Sequence, residues 1–302
     1  MQADRSASAA PGVCAALAAF FLWGLLPMYW KRLGAVAPLD VVSCRVLSSL
    51  FLLLPVLLVT GRLRHLRDAL ASRRQLIWHI CSGILLGINW FLYIYATLTN
   101  QIIEGALGYF LNPLINVAIG WLLLGEKSTP RQILALAIAG VGVLLQAVAV
   151  ARLPWIALGL AFSFAFYGFA RKQSTLGALD GLAMETVLMS PFAVLALWLA
   201  PVAAILERSS AELGLLLCSG LATTIPLLFF AYGARRLRMT TLGILQFLVP
   251  TLQFTLGRWV YGEPVSLLRF LSFVCIWLAI ALFLYPQRGQ PKSMGKPDLG
   301  HN

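Results

Sequence analysis

Apolar residues run along this chain in blocks of roughly twenty, broken by short polar or basic punctuation. A helix needs about 20 such residues to cross ~30 Å of hydrocarbon. Blocks of that size fall near 12–30, 39–60, 75–97, 102–124, 130–150, 153–171, 181–201, 212–234, 240–261 and 266–285. They are apolar on nearly every face and do not alternate as the strands of a membrane barrel do. The pattern therefore predicts an all-α integral membrane protein with ten transmembrane helices. Residues 1–11 read as a short N-terminal arm, 61–74 as a hydrophilic loop, and the basic, Gly/Pro-containing stretch 287–302 as a disordered tail.

The second half repeats the first. An offset of 137 residues sets Phe110, Leu111, Pro113, Gly120, Gly125 and Glu126 on Phe247, Leu248, Pro250, Gly257, Gly262 and Glu263. An offset of 140 sets Leu39-Asp40 on Leu179-Asp180, Lys31-Arg32 on Arg171-Lys172, and Arg45 on Glu185. A unit of this size is a duplication and not a solenoid repeat. With five helices in each half, an odd number, the second must enter the membrane in the opposite sense. The expected domains are two inverted five-helix repeats, 12–150 and 151–286. Lys and Arg in the connections and at the block ends divide sixteen to five between the two sides, which puts both termini in the cytoplasm.

Composition agrees with lipid as the main solvent: 60% of residues are hydrophobic and only 11% charged, with a mean hydropathy of +0.85. A soluble domain carries about 25% charged residues. The net charge of +12 comes from basic loops between apolar blocks, so it reads as topology signal and lipid-headgroup contact rather than nucleic-acid binding. Cys14, Cys44, Cys81, Cys218 and Cys275 all lie in apolar blocks without a CxxC spacing, and read as buried small hydrophobes. With three histidines and no metal-ligand spacing, no metal or cofactor is expected. HExxH, GxSxG and Walker sequences are lacking, so neither an enzyme nor an ATPase is predicted.

Polar groups at membrane depth need a partner or a wet cavity. Tyr109, Asn112 and Asn116 share one face of the fourth block by i, i+3, i+7 spacing, and Gln246 and Gln253 are the repeat counterparts of Tyr109 and Asn116. Asn89 adds an amide beside Trp90, Tyr93 and Tyr95. Together these six residues outline a candidate solute pathway, with interhelical hydrogen bonding as the alternative. Pro113 and Pro250 free the carbonyls of Tyr109 and Gln246 and offer bending points. Arg45, Glu104 and Glu185 are candidates for gating or for a coupling proton, with Arg45 expected to meet Glu104, and Glu185 to meet Arg171, Arg235 or Arg236; snorkelling is the plainer reading of both.

The stretches FFLWGLLPMYWKRLG (20–34), SCRVLSS (43–49), IIEGALGYFLNPLINVAIGWLLLGEK (102–127), PWIALGLAFSFAFYGFARK (154–172), TTIPLLFFAYGARRL (223–237) and LGILQFLVPTLQFTLGRWVYGEP (242–264) resemble RarD-type permeases, members of the EamA-domain family within the drug/metabolite transporter superfamily. The resemblance covers nearly the whole chain. Departures are local: Cys44 where His is expected before Arg45, and Gly105-Ala106 in place of Ala-Ser. It implies a bacterial inner-membrane transporter of a small solute, associated with chloramphenicol sensitivity or resistance. The inverted repeat suits alternating access. A membrane sensor or scaffold without transport is the alternative, and oligomeric state is left open.

Overall fold

Inside hydrocarbon no water satisfies a bare amide, so a chain this apolar has to close its backbone hydrogen bonds within each segment. The computed structural model describes residues 3–34, 36–124, 129–151, 153–200, 209–234 and 245–284. They form α1 (Ala3–Lys31), α2 (Pro38–Val59), α3 (Leu63–Ala71), α4 (Arg73–Leu98), α5 (Ile102–Leu124), α6 (Pro130–Val150), α7 (Trp155–Lys172), α8 (Ala178–Leu199), α9 (Ser210–Ala234), α10 (Leu248–Thr255) and α11 (Leu267–Leu284). A single π-helical turn, Leu256–Val260, continues α10. No strand occurs among the described residues.

Every long helix lies on an apolar block of the sequence. Described segments long and apolar enough to cross a bilayer are Ala10–Lys31, Pro38–Val59, Arg73–Leu98, Leu179–Leu199 and Ser210–Phe230, and Ile133–Ala149, Trp155–Arg171 and Leu267–Leu282 are shorter apolar helices. Phe51, Val59, Phe192, Trp198 and Leu217 stand largely exposed on the outer faces, a surface that only lipid solvates well. The chain is an all-helical, multi-pass membrane protein.

Two boundaries differ from expectation. Helix α1 starts at Ala3, so the Ala-rich arm continues the first helix, as its high helix propensity favours. The stretch 61–74 is not a loop throughout: Leu63–Ala71 is helical and buries Leu66 and Ala69 while its arginines stay outside. Its apolar residues recur at helical spacing among the basic ones, the mark of a surface-lying amphipathic turn. Gly125, Glu126, Arg235, Arg236 and the tail 287–302 lie outside the described residues.

Helix α4 packs on α7, α8 and α2; α5 on α7 and α10; α9 on α1 and α2; α2 on α8; α1 on α10; and α6 on α11. With little hydrophobic force between helices in lipid, close backbone approach supplies the contact area. Gly220 of α9 meets α2 so closely that a Cβ there would stand 2.5 Å from the Ser48 carbonyl carbon, and one at Gly108 would stand 2.8 Å from the Ala157 oxygen of α7. The five cysteines are free thiols, but Cys14, Cys81 and Cys218 are exposed and not buried. An apolar block in a lipid-facing helix has two apolar destinations, the core and the bilayer, and composition does not separate them.

Candidate functional site

Arg45 stands eighth in α2, too deep for its side chain to snorkel free: the residue is 5% exposed. Its guanidinium lies over two aromatic rings, with Cζ 4.1 Å from the Trp90 centroid and 5.4 Å from that of Trp30. The Nε–H donates to Thr223 Oγ1 of α9 at 2.8 Å. Nη1 is buried and has no hydrogen-bond partner. The phenols of Tyr93 and Tyr109 complete the electrostatic surroundings. A desolvated cation–π contact is worth about 2 kcal/mol, whereas burying an ion without a counter-charge costs several kcal/mol even after relaxation. The rings and one hydroxyl offset part of that cost and leave Nη1 with no acceptor among the described residues.

The pathway residues separate into two groups. Gln253 of α10 is 1% exposed; its Nε2 donates to Tyr93 Oη at 3.4 Å, while its Oε1 is buried without a partner. Tyr93 packs edge-on against Tyr109 with centroids 5.7 Å apart. Asn112, three residues from Tyr109 on α5, is 1% exposed, and both its amide oxygen and nitrogen lack partners. Asn89 is different. Its amide donates to Leu160 O at 3.0 Å and to Ser163 Oγ at 3.1 Å, tying α4 to α7. Gln246 is half-buried just before α10, and Pro250 is buried within α10. Pro113 and Asn116 lie in α5, with side chains outside the described residues.

Glu185, eighth in α8, has its full complement of neighbours. Its Oε1 accepts from Ser82 Oγ of α4 at 2.6 Å and lies 3.6 Å from Arg171 Nε of α7; its Oε2 accepts from Tyr167 Oη at 3.2 Å. Of the expected arginine partners, Arg171 reaches it, and Arg235 and Arg236 lie outside the described residues. His79 Nδ1 stands 3.9 Å from Oε1, beyond hydrogen-bond length, and the opposite ring nitrogen pairs with Ser174 Oγ at 2.8 Å. Glu185 and His79 are both fully buried. The arrangement holds a carboxylate, an imidazole and a guanidinium in one dry cluster joining α4, α7 and α8.

Glu104 does not pair with Arg45. Its Oε1 accepts the Ile156 N–H at 3.1 Å, at the start of α7. Glu263 does the same for α5, accepting from Ile102 N at 2.6 Å and Ile103 N at 3.0 Å. Both carboxylates satisfy orphan donors at helix N-termini, where the helix dipole also favours negative charge. Trp30 and Thr223 were absent from the sequence-derived set. Trp30 precedes Lys31-Arg32 and reads as an interfacial anchor, and Thr223 in a TTIP stretch carries no periodic signal. Packing alone brings them to Arg45, Thr223 from α9 against α2 and Trp30 from the end of α1. No cluster of metal-ligating side chains occurs among the described residues.

The sequence profile of the EamA-like transporter family matches residues 10–148 and again 153–285. Protein RarD of Escherichia coli strain K12 is 38% identical over 93% of this chain and 97% of its own length. The uncharacterized transporter YojE of Bacillus subtilis is 36% identical over 91% of this chain and 94% of its own. The chloramphenicol-sensitive protein RarD of Pseudomonas aeruginosa is 30% identical over 90% and 92%. A crystal structure with 18% identity superposes at a TM-score of 0.56, covering 91% of this chain and 97% of that one, which bears on the fold alone. This chain, a membrane transporter, belongs to the EamA-like transporter family as a RarD-type member.

Proposed function

We propose that the protein carries a small solute across the bacterial inner membrane by alternating access of two inverted five-helix halves, 12–150 and 151–286, with both termini cytoplasmic. The helix neighbours support this reading. Matching α1, α2, α4, α5 and α6 in order to α7 to α11, the contact of α4 with α7 has its counterpart in α9 with α1. Likewise α5 with α7 corresponds to α10 with α1, and α4 with α8 to α9 with α2. The pairs α2–α8, α5–α10 and α6–α11 join each helix to its own counterpart. Two such halves can exchange one packing for its mirror in the membrane normal, opening first to one side and then to the other.

One observation carries the pathway: among the buried polar atoms without a hydrogen-bond partner are Arg45 Nη1, both amide atoms of Asn112 and Gln253 Oε1, on α2, α5 and α10. Such groups in a dry bundle cost about 1–3 kcal/mol each, which favours contact with a solute or water during the cycle. Tyr109, Asn116 and Gln246 extend the same path, Pro113 and Pro250 give it bending points, and Glu104 belongs to its rim, while Asn89, whose amide joins α4 to α7, stands beside it. Glu185 with His79 is the candidate for a coupling proton. The name of the Pseudomonas aeruginosa relative makes chloramphenicol a solute to test.

The test compares metabolites and chloramphenicol in cytoplasm and medium of cells lacking the protein, overproducing it, or overproducing folded Asn116→Leu or Gln253→Leu variants. A solute redistributed by the intact protein and not by the variants supports the reading. Full redistribution by both variants would remove these residues from the path.

A further inference from the structure

Four buried carboxylates occur among the described residues, and each has its own work: Glu185 with Ser82, Tyr167 and Arg171; Asp180 with Arg62 and His65; Glu104 and Glu263 at helix N-termini. None is directed to Arg45. Arg171, only partly buried, is given a carboxylate, whereas the more deeply buried Arg45 meets none among the described residues. Meanwhile Trp90 and Trp30 cover the guanidinium, and Thr223 fixes its Nε edge. What is left is the in-plane edge carrying Nη1, whose N–H donors are built to take a compact oxyanion.

Resting on the transport reading above, we propose that Arg45 is the anion anchor of the solute path, and that the solute is a small organic carboxylate whose apolar body packs on the rings of Trp90, Tyr93 and Tyr109. The carboxylate supplies the counter-charge that the fold withholds. Gln253 and Asn112 then bond the remaining polar atoms of the same solute. A neutral solute of the same shape leaves the guanidinium unpaired and loses the strongest contact in the site. A cationic one meets direct repulsion.

The grooves elsewhere do not compete for this role. One of about 360 Å³ is lined by Ala15, Ile225, Leu228, Phe229 and Tyr232, and another of about 320 Å³ lies beside Arg258, Trp259 and Ser266. The first is apolar and faces outward between α1 and α9, and neither includes Arg45.

The test uses the purified full chain in lipid nanodiscs and a matched series with one ring and three head groups: phenylacetate, phenylacetamide and phenethylamine. Thermal unfolding and the summed fluorescence of the nine tryptophans, Trp30 and Trp90 among them, report binding. The expected result is saturable binding of phenylacetate, at least tenfold weaker binding of the amide and the amine, and loss of the preference in Arg45→Gln. Arg45→Lys, which keeps the charge and loses the planar fork, retains the order of the series at reduced affinity. The head-group series on the unaltered protein decides the matter even where Arg45→Gln fails to fold. Equal binding of acid and amide, absence of any response to the acid, or an undiminished preference in folded Arg45→Gln would overturn the proposal. Proteoliposome flux separates the two readings: movement of the amine or amide but not the acid leaves transport standing and removes the anion anchor. Binding of the acid by Arg45 with no flux leaves the anchor and removes transport of this solute.

Discussion

Arg45 and Glu185 stand at the same place in α2 and α8, and the fold treats them in opposite ways. Glu185 is bonded by hydroxyls from α4 and α7 and faced by Arg171. Arg45 receives one hydroxyl from α9, two tryptophan faces and, among the described residues, no counter-charge. The geometry is otherwise parallel: each charged residue reaches across to the helix of the other half against which its own helix packs, through Ser82 in one case and Thr223 in the other. A saturated charge locks helices together. An unsaturated one stores a preference for whatever brings the missing charge, so we read the Glu185 cluster as a structural latch and the Arg45 nest as the recognition point.

Substitutions can break that contrast. The largest effect is expected for Arg45→Met, which removes the anchor. Losing hydrogen bonds to a charged group costs about 3 kcal/mol, or roughly a hundredfold in affinity. Thermal stability in detergent should meanwhile stay level or rise, because the substitution replaces an unpaired buried ion with an apolar side chain. A fall of more than ~10 °C would mean that Arg45 is a structural cation after all. Glu185→Leu should do the reverse to stability. It takes the acceptor from Ser82 and Tyr167 and the carboxylate from the partly buried Arg171, and should cost about 1–3 kcal/mol, measured by retention of the folded peak after heating; unchanged retention would dissolve the latch.

Smaller effects sharpen the picture. Gly220→Ala forces α9 away from the Ser48 backbone and should destabilise by about 1–3 kcal/mol, as overpacking does; because it also separates Thr223 from Arg45, it should weaken anion binding. Thr223→Val frees Nε and should lower affinity for the anion several-fold, a loss of about 1 kcal/mol, with folding little changed. The smallest change is expected for Asn89→Leu. Its amide joins α4 to α7, so stability should drop by about 0.6 kcal/mol, the mean for hydrogen bonds between membrane helices, while flux persists. Loss of flux with stability intact would return Asn89 to the solute path.

The helices were legible because length and all-round apolarity leave few alternatives in a bilayer. The polar positions Asn112, Gln253 and Arg45 were legible too, since a costly group in an apolar block announces itself. Their partners were not. Arg45 was expected near Glu104 because both lie near the same ends of their helices, yet Glu104 turns to the Ile156 amide at the start of α7. Helix-end amides compete for carboxylates, and that demand is invisible in a hydropathy pattern. Asn89 shows the same gap: periodicity placed it at depth, and only packing directed it at Leu160 and Ser163. Glu185 met Arg171 as expected because their separation of fourteen residues spans one tight interhelical turn, so sequence proximity limited the choices.

The most direct test asks whether the Gln253 position opens to both faces in turn. The five native cysteines are replaced, Gln253→Cys is introduced, and a membrane-impermeant thiol reagent is applied from either side of oriented vesicles. Gln253 is 1% exposed in the closed bundle, so alternating access predicts slow modification from each face, with rates that shift in opposite directions when a solute is trapped on one side. Modification from one face only, or from neither while an exposed control cysteine reacts, would contradict a pathway between the two halves.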